Sequence, residues 1–311
     1  GTHPCYKLQS AKEVFGMRAR ERRDLRNGIL FILPYIIGAI AFKLYPIVAS
    51  FYYSLTRYEI FTPPLFTGID NYRTLFLYDD LFWTSLWNTL YYTALVVPCS
   101  LVFSLGIALL LNMNLKGMSV YRTVFFLPTL VPVVASSILW MWVLNPRFGL
   151  LNAALSLVGI KGPGWIADPA WSKPSLVMMG VWGAGQQIVI YLAGLKDIPH
   201  VFYEAAEIDG ANTWQKLRNV TLPLITPVVL FNTVMSIIGS FQVFDQAYIM
   251  TDGGPANSTE MYALYLYRNA FQYFNMGVAS AQAWILFAII LVCTLLLMRS
   301  SERWVHYGGG V

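Results

Sequence analysis

Three carboxylates crowd into six positions of one passage, "YEAAEIDGANTWQKLRNVTLPL" at residues 203–224: Glu204, Glu207 and Asp209. Little else in the chain could support a reaction. An intramembrane hydrolase wants paired membrane aspartates, an HExxH helix, or a serine nucleophile beside a base. Neither HExxH nor GxSxG occurs, only Asp245 stands near the end of an apolar run, and His3, His200 and His306 lie outside such runs. No stretch reads GxxxxGK[ST], so no phosphate-cradling loop is expected. Cys5, Cys99 and Cys293 are far apart, without CxxC or metal-ligand spacing, and the last two are expected to pack inside apolar runs. No catalytic residue, metal site or bound cofactor is expected of this chain.

Composition sets what must position the acidic passage. Of 311 residues, 57% are hydrophobic and 12% charged, against roughly 25% charged in soluble domains. Such a chain cannot coat a water-soluble core, so an all-α integral membrane protein is expected. Six apolar stretches, about 28–54, 87–111, 120–143, 174–195, 223–250 and 279–298, are long enough to cross a hydrocarbon core of about 30 Å as helices. They lack the alternation of barrel strands. With the N-terminus inside, the inner segments carry fourteen Lys and Arg and the outer loops six, which predicts both termini in the cytoplasm. Seven of the fourteen lie in the first 26 residues. Beside a membrane helix such a cluster fixes orientation, and nucleic acid is not an expected partner. The first apolar run lacks a small-residue cleavage site followed by a soluble domain, so it reads as a retained helix. Lys43, about 22 Å along that run, can snorkel to the outer headgroups.

Residues 196–222 then form the longest inner loop. Pro199 suits a helix start, Asp209-Gly210 signals a turn, and Asn212 with Gln215 has capping-box spacing. Two short helices joined by a sharp turn are predicted, the second carrying Trp214, Leu217 and Val220 before Pro223 opens the fifth span. On the residues alone two readings stay open, an amphipathic loop resting on headgroups or a projection offered to a partner. Polar residues inside the spans are expensive and face a bundle interior or a wet cavity. Gln186, Gln187, Asn232, Ser236, Ser240, Gln242 and Asp245 qualify, and steps of four place Ser236, Ser240 and Phe244 on one helical face. As a set they are candidates to line a route, and each alone could be a helix–helix hydrogen bond.

The segments "EAAEIDGA" followed by eleven residues and then a proline, "VYRTVFFLPTLVPVVASSILWMWVLNPRFGLLN" at 120–152, "TDGGP" at 251–255 and "NTLYYT" at 88–93 resemble binding-protein-dependent ABC importer permeases of the maltose-transporter type. The resemblance covers about residues 28–300. It implies a type I importer bundle of six transmembrane helices in a bacterial or archaeal cytoplasmic membrane, with an EAA loop docked on a cytoplasmic ATPase subunit. Glu204, Ala205, Ala206, Asp209, Gly210 and Ala211 match the coupling motif. Small alanines would permit close approach, Gly210 would make the turn, and Glu204 would pair with a basic or donor group. Leu217 stands where the family often has Phe. Gln186, Gln187, Asn232, Ser236, Ser240 and Phe244 are the candidate substrate path; Ser236 and Ser240 resemble sugar-contacting positions, while Val133 replaces a contacting serine. The implied partners are a second homologous permease, two ATP-binding cassette subunits carrying ATP and Mg, an extracytoplasmic sugar-binding protein, and membrane lipids.

A channel or ion-coupled carrier would carry ionisable residues mid-helix or broken inverted repeats, and neither is evident. A nearer alternative keeps the permease and changes the cargo to a polyol phosphate, amino acid or peptide. The chain divides into a basic tail at 1–27, a permease domain at 28–300 with the coupling loop at 196–222, and a C-terminal tail at 301–311.

Overall fold

The structure, a computed structural model, describes the backbone of residues 5–113 and 116–306, with side chains from Glu21 onward apart from Arg22. Most side chains of the expected basic tail, Cys5 among them, and residues 307–311 of the expected C-terminal tail lie outside the described residues. Three helices are long and apolar enough to cross a membrane: Arg23–Ser54, Asp80–Leu111 and Met276–Ser301. Three further candidates are bent pairs: Met118–Leu130 with Val133–Val143 at 102°, Pro169–Trp182 with Gly185–Lys196 at 42°, and Thr213–Leu224 with Thr226–Phe241 at 60°.

The runs expected at 120–143, 174–195 and 223–250 are therefore not continuous helices, and each break has a cause. Val131 is extended (φ −82°, ψ 127°) because the ring of Pro132 bars the α conformation from the residue before it. The second pair bends where Gly183 and Ala184 interrupt the ladder. The third bends at Ile225, with Pro227 in the first turn that follows. That helix also stops early, at Phe241. In its last turn Ser240 Oγ donates to the Ile237 carbonyl at 3.0 Å, competing with the ladder, and Asp245–Met250 is a separate short helix. Phe244 thus does not continue the helical face of Ser236 and Ser240, contrary to the spacing argument.

The second long helix begins seven residues before the expected 87, because Asp79 caps it by accepting from the Phe82 amide at 2.9 Å. The first helix passes through a π turn at Ile40–Leu44 just ahead of Pro46, whose missing N–H and bulky ring suit a locally widened ladder. Lys43 is exposed in that turn. Of this helix the described side chains before residue 49 are mostly exposed, whereas its last turns pack on Met276–Ser301 through Phe51 edge-on to Trp284. A small hairpin pairing Thr56 with Phe66 follows, and Asn71 holds it by donating to the Ser54 and Thr56 carbonyls, each at 2.8 Å.

Three apolar clusters carry the bundle. One, with Leu75, Phe82, Phe241 and Tyr262, lies at the Asp80 end. A second joins Tyr92, Val96, Leu176, Met179 and Met261. The third gathers Ala108, Leu111, Tyr191, Leu195, Ile198 and Ile225 at the end that carries residues 196–222. Burying a side chain of this size contributes about 1.5–3 kcal/mol against water, though against lipid the gain is packing rather than transfer. Cys293 packs at the margin of the first cluster, but Cys99 is exposed, so its expected packing role does not hold within this chain.

Candidate functional site

The 196–222 passage folds as two short helices about a sharp turn. His200–Ile208 follows Pro199, and Gly210 takes φ +75°, a conformation that costs L side chains and leaves glycine free. Asn212 then forms a complete capping box with Gln215, the two reciprocal bonds being 2.8 and 2.9 Å. Tyr203 Oη meets Thr221 Oγ1 at 3.0 Å, tying the two helices, and its ring packs on the third apolar cluster.

The three acids separate by use. Glu207 pairs with Lys216 at 2.6 Å, and that hydrogen bond and charge hold its carboxyl below the usual carboxylate range. Glu204 and Asp209 are exposed and have no side-chain partner among the described residues. Ala205 and Gly210 are also exposed, while Ala206 and Ala211 are half-buried, the Ala211 amide closing the turn on the Ala206 carbonyl at 2.9 Å. Charge reasoning missed an apolar stripe. Val201, Ala205 and Ile208 share one helical face, and Ile208 is 88% exposed, with Trp214 of the next helix at 67%. Their spacing of four and three residues was the available signal.

Between the clusters lies a cavity of about 480 Å³. All six candidate path residues, Gln186, Gln187, Asn232, Ser236, Ser240 and Phe244, line it, as do Gln242 and Asp245. Val133 reaches it too, and a second cavity of about 250 Å³ shares Val133, Gln186 and Gln246 with it. The Thr226 helix supplies a ladder, Asn232, Ser236 and Ser240, one turn apart. Asn232 and Tyr191 are buried, and their side chains meet, the Tyr191 hydroxyl against the Asn232 amide. Sequence reasoning missed Tyr92 and Gln246 as lining residues. Tyr92 Oη donates to Gln246 Oε1 at 3.3 Å in the cavity lining, a pairing 154 residues apart that no local pattern encodes. The cavity offers amides, hydroxyls, apolar walls and one carboxylate, Asp245. Among the described residues no cluster of His, Cys, Asp or Glu could hold a metal ion.

At the other end of the bundle the "NTLYYT" and "TDGGP" segments meet. Asn88 Nδ2 donates to the carbonyls of Asn257 (2.8 Å) and Glu260 (3.1 Å), while its Oδ1 accepts from Lys173 at 3.0 Å. The Tyr262 amide donates to Thr89 Oγ1 at 2.9 Å. Arg268 bridges Glu260 (2.8 Å) and Asp252 (2.9 Å). Glu260 is fully buried, and desolvation, with Asp252 adding and Arg268 opposing, pushes its carboxyl up to about 7.

A helical bundle of bent apolar segments around a polar cavity, with a projecting helix pair at one end, is the architecture of a transport permease. Residues 80–307 match the family described as binding-protein-dependent transport system inner membrane component, and the chain belongs to that family of ABC importer permease subunits. It is 42% identical over 290 residues to a probable ABC transporter permease protein, YesP, of Bacillus subtilis, covering 92% of this chain and 94% of that one. It is 32% identical to the trehalose/maltose transport system permease protein MalF of Thermococcus litoralis, covering 89% and 94%. A solved bacterial alginate ABC transporter, in complex with an alginate pentasaccharide-bound periplasmic protein, contains a chain that superposes with a TM-score of 0.80 at 25% identity, covering 92% of this chain and 96% of that chain. The fold is that of a type I importer permease and the chain is an inner-membrane component; in this family it is a transport subunit, with ATP hydrolysis on separate subunits.

Proposed function

We propose that the chain passes a sugar or oligosaccharide, delivered by an extracytoplasmic binding protein, through alternating access driven by ATP hydrolysis on two cassette subunits. The observation that carries this reading is the placement of the cavity. Its polar wall is built from Gly185–Lys196 and Thr226–Phe241, the two helices that flank the 196–222 passage, so force on the passage acts directly on the wall. The wall suits carbohydrate, whose hydroxyls need amides and hydroxyls and whose ring faces need apolar or aromatic surface such as Phe244 and Phe231. The saccharides of the Thermococcus trehalose/maltose and alginate relatives favour a saccharide over a polyol phosphate, amino acid or peptide.

In this reading each bent pair is one span, giving six, with both termini and residues 196–222 in the cytoplasm. The basic tail is 1–27, the permease domain 28–300 and the C-terminal tail 301–311. Glu204, Ala205, Ala206, Asp209, Gly210 and Ala211, together with Ile208 and Trp214, form the face gripped by the ATPase, where ATP and Mg bind. Gln186, Gln187, Asn232, Ser236, Ser240 and Phe244 form one wall of the passage, and a second, homologous permease supplies the other. The Asp252–Glu260 loop faces the binding protein. Co-expression with its operon partners and reconstitution in liposomes tests this. ATPase activity should rise only with loaded binding protein, and labelled saccharide should accumulate inside. A complex that never captures an ATPase, or that moves solute without one, refutes it.

A further inference from the structure

Gln186 and Gln187 both line the cavity, yet their hydrogen bonding divides them. Gln187 Nε2 donates to Ser236 Oγ at 2.8 Å, and Ser236 passes its own hydrogen to the Asn232 carbonyl at 2.6 Å. Gln187 Oε1 meets Ser104 Oγ at 3.2 Å. That second arm is the weaker, since the one Ser104 hydrogen is shared with the Ser100 carbonyl at 2.5 Å. Both ends of the Gln187 amide are thus engaged by protein, whereas Gln186 has no protein partner among the described residues.

We propose that the Gln187–Ser236 bond is a clasp between the two flanks of the motor-facing passage, and that Gln187 is a positioning residue rather than a sugar contact. This rests on the transporter reading above. Gln187 stands nine residues above Lys196 and Ser236 ten residues beyond Thr226, so at 1.5 Å per residue both lie about 14–15 Å in from that end. The clasp is level, and it joins the two helices along the cavity wall. A bond of 2.8 Å ceases to be one once the atoms part beyond about 3.5 Å, so a separation of under 1 Å along the bond, or an axial slide of about 2 Å, opens it. Such a contact is either made or lost, which turns a small displacement of the passage into a discrete change of the cavity.

The test uses the reconstituted complex and reads the ratio of ATPase rates with and without loaded binding protein. Gln187→Leu should lower that ratio roughly five-fold, the population shift expected from one net hydrogen bond. Ser236→Ala, a smaller excision that spares packing, should do the same, and the double variant should be no worse than either alone. The exchange Gln187→Ser with Ser236→Gln rebuilds the bond in reverse and should restore the ratio, which a purely space-filling role would not predict. Additive losses, or an unchanged ratio with uptake reduced for some sugars and not others, would overturn the clasp and make Gln187 a subsite. A wild-type complex whose ATPase ignores the loaded binding protein would instead sink the transporter reading, and the clasp with it.

Discussion

Glu260 offers a quantitative test of how the "TDGGP" loop is held. Its carboxyl is fully buried, one oxygen accepts from Arg268 and the other has no partner, so the neutral form is favoured up to about pH 7. An unburied glutamate titrates near 4.5. Between the two values the folded loop retains a proton that the unfolded chain releases, so stability is fullest below pH 4.5 and falls as pH rises through 7. The interval corresponds to roughly 3 kcal/mol, an upper bound because water reaches Arg268. Glu260→Gln stays neutral and keeps an acceptor for Arg268, so the pH slope should flatten. It also places an unpartnered amide where the free oxygen stood, at a cost of about 1–3 kcal/mol. Hydrogen exchange of residues 251–262 in the purified complex, followed from pH 5 to 8.5, reads both effects. Wild-type protection that rises with pH, or a variant that keeps the wild-type slope, refutes the reasoning.

Ile208→Asp places a charge in the apolar stripe of the projecting helix and should weaken capture of the ATPase subunit by about thirty-fold or more, the loss of one interface anchor; full co-purification would deny the stripe its role. Glu204→Lys should leave the permease inserted but abolish coupled uptake, and normal uptake by that variant would count heavily against docking. Gly185→Ala would set a β-carbon 2.6 Å from the Phe125 carbonyl oxygen and 2.7 Å from Thr129 Cγ2, so it should cost about 1–3 kcal/mol and lower the thermal midpoint of the complex; an unchanged midpoint would mean that the neighbouring helix yields freely. Gln186→Leu should cut saccharide uptake several-fold through loss of a free amide on the wall, and undiminished counterflow in liposomes would remove Gln186 from the path.

The helix pair at 196–222 is legible in the sequence because its determinants are local: Asn212 and Gln215 three apart, and Gly210 beside Asp209. Apolar runs are equally local, so the six stretches stand out, but their bends do not. A hydropathy window averages across Val131-Pro132 and Gly183, and a 102° bend leaves the average unchanged. The polar cavity wall, Gln186, Gln187, Asn232, Ser236 and Ser240, was legible as a set because polar residues are scarce in such runs. Their individual duties were not. Whether Gln187 faces solute or Ser236 depends on how two spans 49 residues apart are registered, and the bond from Asn88 to Glu260 crosses 172 residues. Phe244 reached the expected cavity by a different backbone route, after a break that its helical spacing did not reveal.

The same long-range registration explains how a push at one end can reach the cavity. Tyr203 on the projecting helix is bonded to Thr221 and packed on the cluster that contains Tyr191, Leu195, Ile198 and Ile225. Tyr191 belongs to that cluster, and Asn232, whose side chain meets the Tyr191 hydroxyl, leads on to the clasp through its carbonyl, which accepts from Ser236 at 2.6 Å. Densely packed interiors transmit displacement rather than absorb it. A shift of the projecting helices therefore moves Leu195 and Ile225 together and bears next on Tyr191 and Asn232. On this ordering, tightening the Tyr191–Asn232 layer should blunt the motor's effect on the cavity even when the grip on the projecting helices is intact.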